Sequence, residues 1–326
     1  MSEVVIVQPV RTAIGKYNGS LAGIPAVDLG AAVIRKTIAR SGLAASEVAS
    51  VTMGNVVQAG NRMNPARQAA IHGGLPVSVP AVTVNRVCGS GAEAIASAAK
   101  DIWLGHASAA IAGGMENMDR APYLMSGGRW GYRMGHAEIF DSMLLDGLHD
   151  AFSGRHSGWH TEDMIASQQI SRTDQDRWAA RSQQRFSAAQ AEGRFAAEIV
   201  GIDLPVKGGV RSFVADETPR PDTTIEALAK LKPAFRDDGT ITAGNAPGLN
   251  SGAAAMIVAD RAFAEAKGLR PMARLVPMAL PPSNPACSRS RRSRRSIRRW
   301  SVPAGRSAIS SGSRSTRPMR RCRSRS

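Results

Sequence analysis

Cysteine is scarce in this sequence, with three in 326 residues at positions 88, 287 and 322. Cys287 and Cys322 fall in a basic C-terminal stretch, so Cys88 stands alone in the rest of the chain without a disulfide partner. That excludes a disulfide-stapled scaffold and fits a reducing compartment. Long apolar runs are missing too: none approaches the roughly 20 residues of a membrane span. The opening "MSEVVIVQPVRTAIGKY" lacks the basic-then-apolar pattern of a signal sequence, so the expectation is a cytoplasmic protein with no membrane partner. Acidic residues are absent from 277–326, which hold 14 arginines and 13 serines. Without those arginines the formal net charge of +16 falls to +2, so the body of the protein is nearly neutral and is not a general polyanion binder. Taken literally, the tail would be an Arg/Ser arm for nucleic acid with a steep salt dependence. It lacks regular RS repetition and interleaved aromatics beyond Trp300, which argues against nucleic acid as a partner.

What is present reads as alternating strand and helix up to about residue 116. "VVIV" at Val4 to Val7 is a buried strand entering a loop, and "VDLGAAVIRKTIARSG" has a helical period with a glycine stop at Gly42. "SVTMGNVVQA" and "AVTVNRV" are strand-like, "NPARQAAIHGG" is a helix with Pro65 in its first turn, "GSGAEAIASAAKDIWLG" is a helix, and "ASAAIAGGME" is a strand of small residues. This order predicts α/β layers. From 117 to 239 the pattern loosens into a Met-, Gly- and His-rich loop, followed by a polar helix capped at Thr173 or Asp174. An excursion of that length predicts a lid or substrate-binding subdomain. Regular structure returns at "ITAGNAPGLNSGAAAMIVADRAFAEAKGL" as turn, strand and helix, and "PMARLV" starts a new strand. Past Val276 the dense like charge and lack of period predict disorder.

The chemistry centres on "VNRVCGSGAEAI", residues 82 to 93, which places Cys88 between a strand and a helix start. A sulfur at a helix N-terminus feels the unpaired backbone N–H groups, which favours the thiolate. Gly89 and Gly91 let backbone and substrate approach closely, with N–H groups there to face an acyl oxygen. The functional reading is a nucleophile for acyl transfer. A lone cysteine after a buried strand is also compatible with an inert core residue, and position alone does not separate the two. His72, His106, His136, His149 and His160 lack metal-ligand spacing and read as surface or loop residues.

The stretches "NRVCGSGAEAI", "AGGMENMDRAPYLM", "DGLHDAF" with "HSG" following, "LAKLKPAF" and "TAGNAPGLNSGAAA" decide the matter. In this order and spacing the chain resembles the thiolase family, of the acetoacetyl-CoA thiolase (acetyl-CoA C-acetyltransferase) type, over about residues 3–276. The resemblance implies a thiolase-like N-terminal half, layered α/β/α, from 1–116 and 240–270. It implies an inserted CoA-binding loop domain over 117–239 and the start of a truncated C-terminal domain at 271–276, before the tail of 277–326. It also implies an acyltransferase that moves acyl groups between acyl-CoA and CoA through an acyl-cysteine. CoA and acyl-CoA would be its substrates, with no resident cofactor or metal, and the family member would be a homodimer or homotetramer. Cys88 carries over as the acylated nucleophile. Leu148, His156, Arg220, Phe235, Ala243 and Pro247 carry over to the CoA and pantetheine channel, with Arg220 at the nucleotide end and Leu148 and Phe235 as apolar wall. Without the family match, His156 would read as a turn residue, Arg220 as a solvated charge, and Leu148, Phe235 and Ala243 as core.

The sequence departs from the family at several points. Pro247 stands where serine is common, which removes a hydroxyl and an N–H, and Ser157 stands where methionine is common, which widens the pocket. The "NEAF" or "NEAY", "GHP" and "CxGGG" motifs, which supply the base, the second cysteine and the enolate site, do not occur. The string "GHA" at 105 to 107 is a poor substitute. A frameshift near Pro277 accounts for the gap. With GC-rich codons, "MALPPSNPACS" read one base earlier permits "YGIAAVEPGMF", and "STRPMRRCRSR" permits "VNEAYAAVPLA", with Met278 and Met319 restricting the choice. The chain as written is then expected to be inactive, the alternative being a non-catalytic CoA-binding thiolase fragment.

Overall fold

The computed structural model describes residues 2–276, so the expected disorder of the tail lies outside the described residues. The chain opens with β1 (Val4–Thr12) and the short β2 (Gly15–Lys16). β1 outruns the expected Val4–Val7 strand because it absorbs Pro9, which has no N–H to give a ladder, in a bulge. Register shifts between Val7 and Val10, with Gln8 in the left-handed region at φ 46°.

Helix α1 (Ala26–Ser41) ends at Gly42, whose φ of 72° is the left-handed cap a glycine adopts freely, and its N–H donates to the Ile38 carbonyl. β3 (Ser50–Gly54) leads to α2 (Pro65–His72), with Pro65 in the first helical position and the Asn64 side chain accepting from Arg67 N–H. β4 (Ala81–Val84), α3 (Ser90–Trp103) and β5 (Ala109–Asn117) follow. Later come β6 (Ile199–Val200), β7 (Asn250–Asp260) and β8 (Ala273–Arg274). These strands form one mixed sheet in the order β8-β1-β7-β5-β3-β4, with β2 on β7 and β6 on β1. β7 runs antiparallel to both β1 and β5, while β3 is parallel to β5 and β4.

Alternation along the strands buries both faces of this sheet. Ile111 and Met115 of β5 and Ala255 and Ile257 of β7 meet Leu29, Val33 and Ile34 of α1 and Ala69 of α2. Ala110, Ala112 and Val258 face the other way and meet Ala94, Ala98 and Ile102 of α3. Helices on both sides of the sheet give the α/β/α layering. Between β5 and β7 lie a π-helical turn (Met143–Leu148), α4 (Ser157–Gln168), α5 (Arg172–Ala191), the hairpin Ile202–Val206/Gly209–Phe213 and the short α6 (Ile225–Ala229). α7 (Arg261–Ala266) follows β7.

One local expectation is corrected in this stretch. The cap of α5 is Ser171, whose Oγ accepts from Asp174 N–H at 3.1 Å and donates to the Asp174 carboxylate at 2.8 Å, so Thr173 and Asp174 lie inside the helix. His160 lies on the partly exposed surface of α4. α4 carries little apolar contrast between its faces, so it left no periodic signal to read.

Candidate active site

Hydrogen bonds explain how the chain turns from β4 into α3. Val87 N–H is taken by the Asn85 side chain at 2.9 Å, and the buried Ser90 hydroxyl accepts from Arg86 N–H at 2.9 Å while donating to the Val87 carbonyl at 2.6 Å. The turn forces Val87 to φ 49°, a region that a β-branched residue enters at a cost of about 1–3 kcal/mol. Such strain persists only where neighbours over-determine it, and Asn85 and Ser90 do so here.

Cys88 follows directly, exposed and unpaired, one residue before the N-cap Gly89 of α3. Gly89 N–H donates to the Arg86 carbonyl at 3.1 Å, so it is not the free donor expected from sequence. Gly91, inside the first helical turn, borders the cavity beside Cys88. The helix start is held close to the sheet by Gly54 of β3. A Cβ there would lie 2.7 Å from the Ser90 backbone carbon and 2.9 Å from Gly91 N.

That cavity, about 550 Å³, is bounded by Cys88, Val56, Val57, Met118, Leu148 and Glu116 among others. Glu116 belongs to β5 and was not singled out in the sequence. Its signal there was one carboxyl within a strand of small buried residues. Burial pushes its pKa up to about 7, against hydrogen bonds from Val56 N–H, Val57 N–H and Asn55 that favour the carboxylate. A larger cleft of about 1040 Å³ adjoins it, and the two share Arg11, Ile14 and Asn250. Arg11 is fixed at this junction by a bidentate pairing with Asp216 at 2.7 and 3.0 Å and by Glu198 at 2.7 Å.

The residues singled out from sequence divide into groups. Cys88 and Leu148 border the smaller cavity, while Arg220, Ala243 and Pro247 border the larger cleft. The backbone N–H of Arg220 is held by the Gln183 side chain at 2.9 Å, while its guanidinium makes no ion pair with the described residues. His156 and Phe235 border neither space. Their rings stack at 4.6 Å, and His156 Nδ1 accepts from Gly158 N–H at 3.0 Å to cap α4. Among the described residues no three His, Cys, Asp or Glu side chains converge as metal ligands, and no helix is long and apolar enough to cross a membrane.

Chemically, the arrangement offers a thiol at a helix N-terminus, an apolar cavity beside it and a charged cleft beyond. Comparison with known proteins gives this geometry a lineage. Residues 4–262 match the family described as "Thiolase, N-terminal domain". The chain is 52% identical over 287 residues to an acetyl-CoA acetyltransferase of Pseudomonas aeruginosa, covering 88% of this chain and 73% of that protein. It is 48% identical over 274 residues to a probable acetyl-CoA acyltransferase of Staphylococcus epidermidis, covering 84% and 70%. The crystal structure of the Bacillus anthracis acetyl-CoA acetyltransferase superposes with a TM-score of 0.81 at 39% identity, over 84% of this chain and 69% of that one. Because the matched span takes in every strand of the sheet except β8, together with the turn that presents Cys88, the chain belongs to the thiolase family of acyltransferases.

Proposed function

We propose that Cys88 accepts an acyl group from acyl-CoA, the half-reaction that opens thiolase chemistry. The observation that carries this reading is the placement of an exposed thiol at the head of α3, beside an apolar cavity that shares Arg11, Ile14 and Asn250 with a charged cleft. The Cys88 thiolate attacks the thioester carbonyl, forming the Sγ–C bond as the carbonyl oxygen takes up negative charge. Collapse breaks the C–S bond to CoA, whose thiolate leaves and takes up a proton equivalent to the one Cys88 lost. The N-terminal turn of α3 favours the negative charge that develops on the carbonyl oxygen.

Leu148 gives the pantetheine arm an apolar wall, Arg220 meets the phosphates of the nucleotide, and Ala243 and Pro247 border the passage between them. His156 and Phe235 support that passage from behind by fixing the start of α4. Residues 117–239 then act as the CoA-binding insert of a domain built from 1–116 and 240–270. The acyl group is acetyl or a short homologue, with Pro247 and Ser157 relaxing the preference. CoA and acyl-CoA are the reactants, and the assembly is a cytoplasmic homodimer or homotetramer.

The test is incubation of the full chain with acetyl-CoA, followed by peptide mass mapping. An acetyl adduct on Cys88, lost in Cys88→Ser, is expected. CoA binding without any adduct would overturn the reading and favour a second one, a CoA-binding protein without catalysis. The absence of "NEAF", "GHP" and "CxGGG" strings from the sequence motivates that alternative. Resequencing the gene around codon 277 tests the frameshift: in-frame recovery of those motifs would restore the complete machinery.

A further inference from the structure

Glu116 lies on the α3 side of the sheet, the side of Ala110 and Ala112, one alternation beyond Gly114, where a Cβ would come within 3.7 Å of Gly91 Cα. It therefore sits under the helix start that carries Cys88. Its two oxygens do not reach across the cavity. They accept from Val56 N–H at 2.8 Å, from Val57 N–H at 3.4 Å and from Asn55 Nδ2 at 2.8 Å. Val56 and Val57 in turn form one wall of the cavity, and Val57 abuts the turn before Leu148: a Cβ on Gly147 would lie 3.4 Å from Val57 Cγ2. One carboxylate thus fixes a loop, and that loop fixes the spacing between the apolar walls beside the thiol.

We infer that Glu116 is a positioning residue that sets the width of the passage to Cys88 by clamping the Asn55–Val57 loop. This inference rests on the reading of Cys88 as acyl acceptor. A carboxylate can accept from both valine N–H groups and the amide together, whereas the protonated acid gives up acceptor strength on one oxygen. Loosening of the wall therefore follows protonation, below the value of about 7 to which burial raises this group.

Other ionisable groups carried by the surrounding elements are few. Cys88 and Arg11 border the same cavity, and Arg11 is already paired with Asp216 and Glu198. Glu93 on α3 is paired with Arg86 and Lys100, Asp119 after β5 accepts from Asn18 N–H and Ser251, and Asp146 in the turn before Leu148 is exposed.

The experiment compares two probes on the full chain between pH 5.5 and 8.5, acetyl-pantetheine and iodoacetamide. Both require the Cys88 thiolate, so thiol ionisation cancels in the ratio of their rates, but only the acetyl-pantetheine must pass between the walls. The ratio is expected to fall about tenfold as pH drops through 7 and to become flat with pH in Glu116→Gln. A ratio independent of pH in the wild type, or one with the same profile in Glu116→Gln, overturns the inference. Failure of acetyl-pantetheine to label Cys88 at any pH refutes the acyl-acceptor reading instead. Hydrogen exchange of the Val56 and Val57 amides then decides the clamp independently of labelling. Their protection factors should drop about tenfold below pH 7 in the wild type and show no such step in Glu116→Gln. Protection that does not change with pH in the wild type overturns the clamp.

Discussion

Two glycines on opposite sides of one contact give opposite predictions. At Gly54, buried at the end of β3, an added methyl would meet the Ser90 backbone carbon and Cβ at 2.7 Å and Gly91 N at 2.9 Å. These are main-chain atoms or atoms next to them at the start of α3, so no flexible side-chain end can move aside, and either the helix shifts or the strand does. Overpacking of this kind costs about 1–3 kcal/mol. In a chain of this size that lowers Tm by roughly 2–4 °C for each kcal/mol. At Gly91 a methyl meets nothing within 4 Å, and alanine is the better helix former, so Gly91→Ala should lie within about 0.5 kcal/mol of the wild type. Urea unfolding followed by circular dichroism measures both. Iodoacetamide labelling reports whether Cys88 moves with the helix start, and it should change in Gly54→Ala alone. Equal stability and equal labelling of the two variants would refute the packing argument, and with it the claim that β3 sets the position of the thiol.

Ser90→Ala removes the two hydroxyl hydrogen bonds in the Val87 turn and leaves Arg86 N–H and the Val87 carbonyl without that partner, so it should cost about 1–3 kcal/mol in a denaturant melt and broaden the range of Cys88 labelling rates. Glu116 gives a pH signature. Its folded value of about 7 lies above the ordinary 4.5, so the folded state holds the proton more tightly than the unfolded chain. The stability linked to that proton is fully present below about 4.5 and is lost as pH rises through 7, a change of at most about 3 kcal/mol. Glu116→Gln should therefore gain stability relative to the wild type on going from pH 4.5 to pH 8 in paired thermal melts, and a constant difference would contradict the assignment. Asn55→Ala, which removes one of the bonds favouring the carboxylate, should push the Glu116 transition higher still.

The sheet and its helices were legible because their signals are local. Gly42 stops α1 where its left-handed φ requires, Pro65 opens α2, and small apolar residues mark β5 and β7 as strands buried on both faces. Between them only α5 was legible, as a polar helix with its cap placed two or three residues late. α4 has little periodic contrast, so tertiary contacts such as Glu162 accepting from Thr240 and Ile241 N–H define it more than its own sequence does. Cys88 was legible as a candidate from a strand-to-helix boundary flanked by glycines, yet the same residues pointed to the wrong donor, because Gly89 N–H closes the turn that Val87 strains. Glu116 could not be read at all. An acid in a strand has no periodicity of its own, and its environment is made by a loop sixty residues earlier folding back onto it. Burial that raises a pKa and a loop that accepts the same carboxylate as its anchor are both products of the assembled sheet. That is where the chemistry of this cavity is set, and where variants at Glu116, Asn55 and Gly54 should act on Cys88 without touching it.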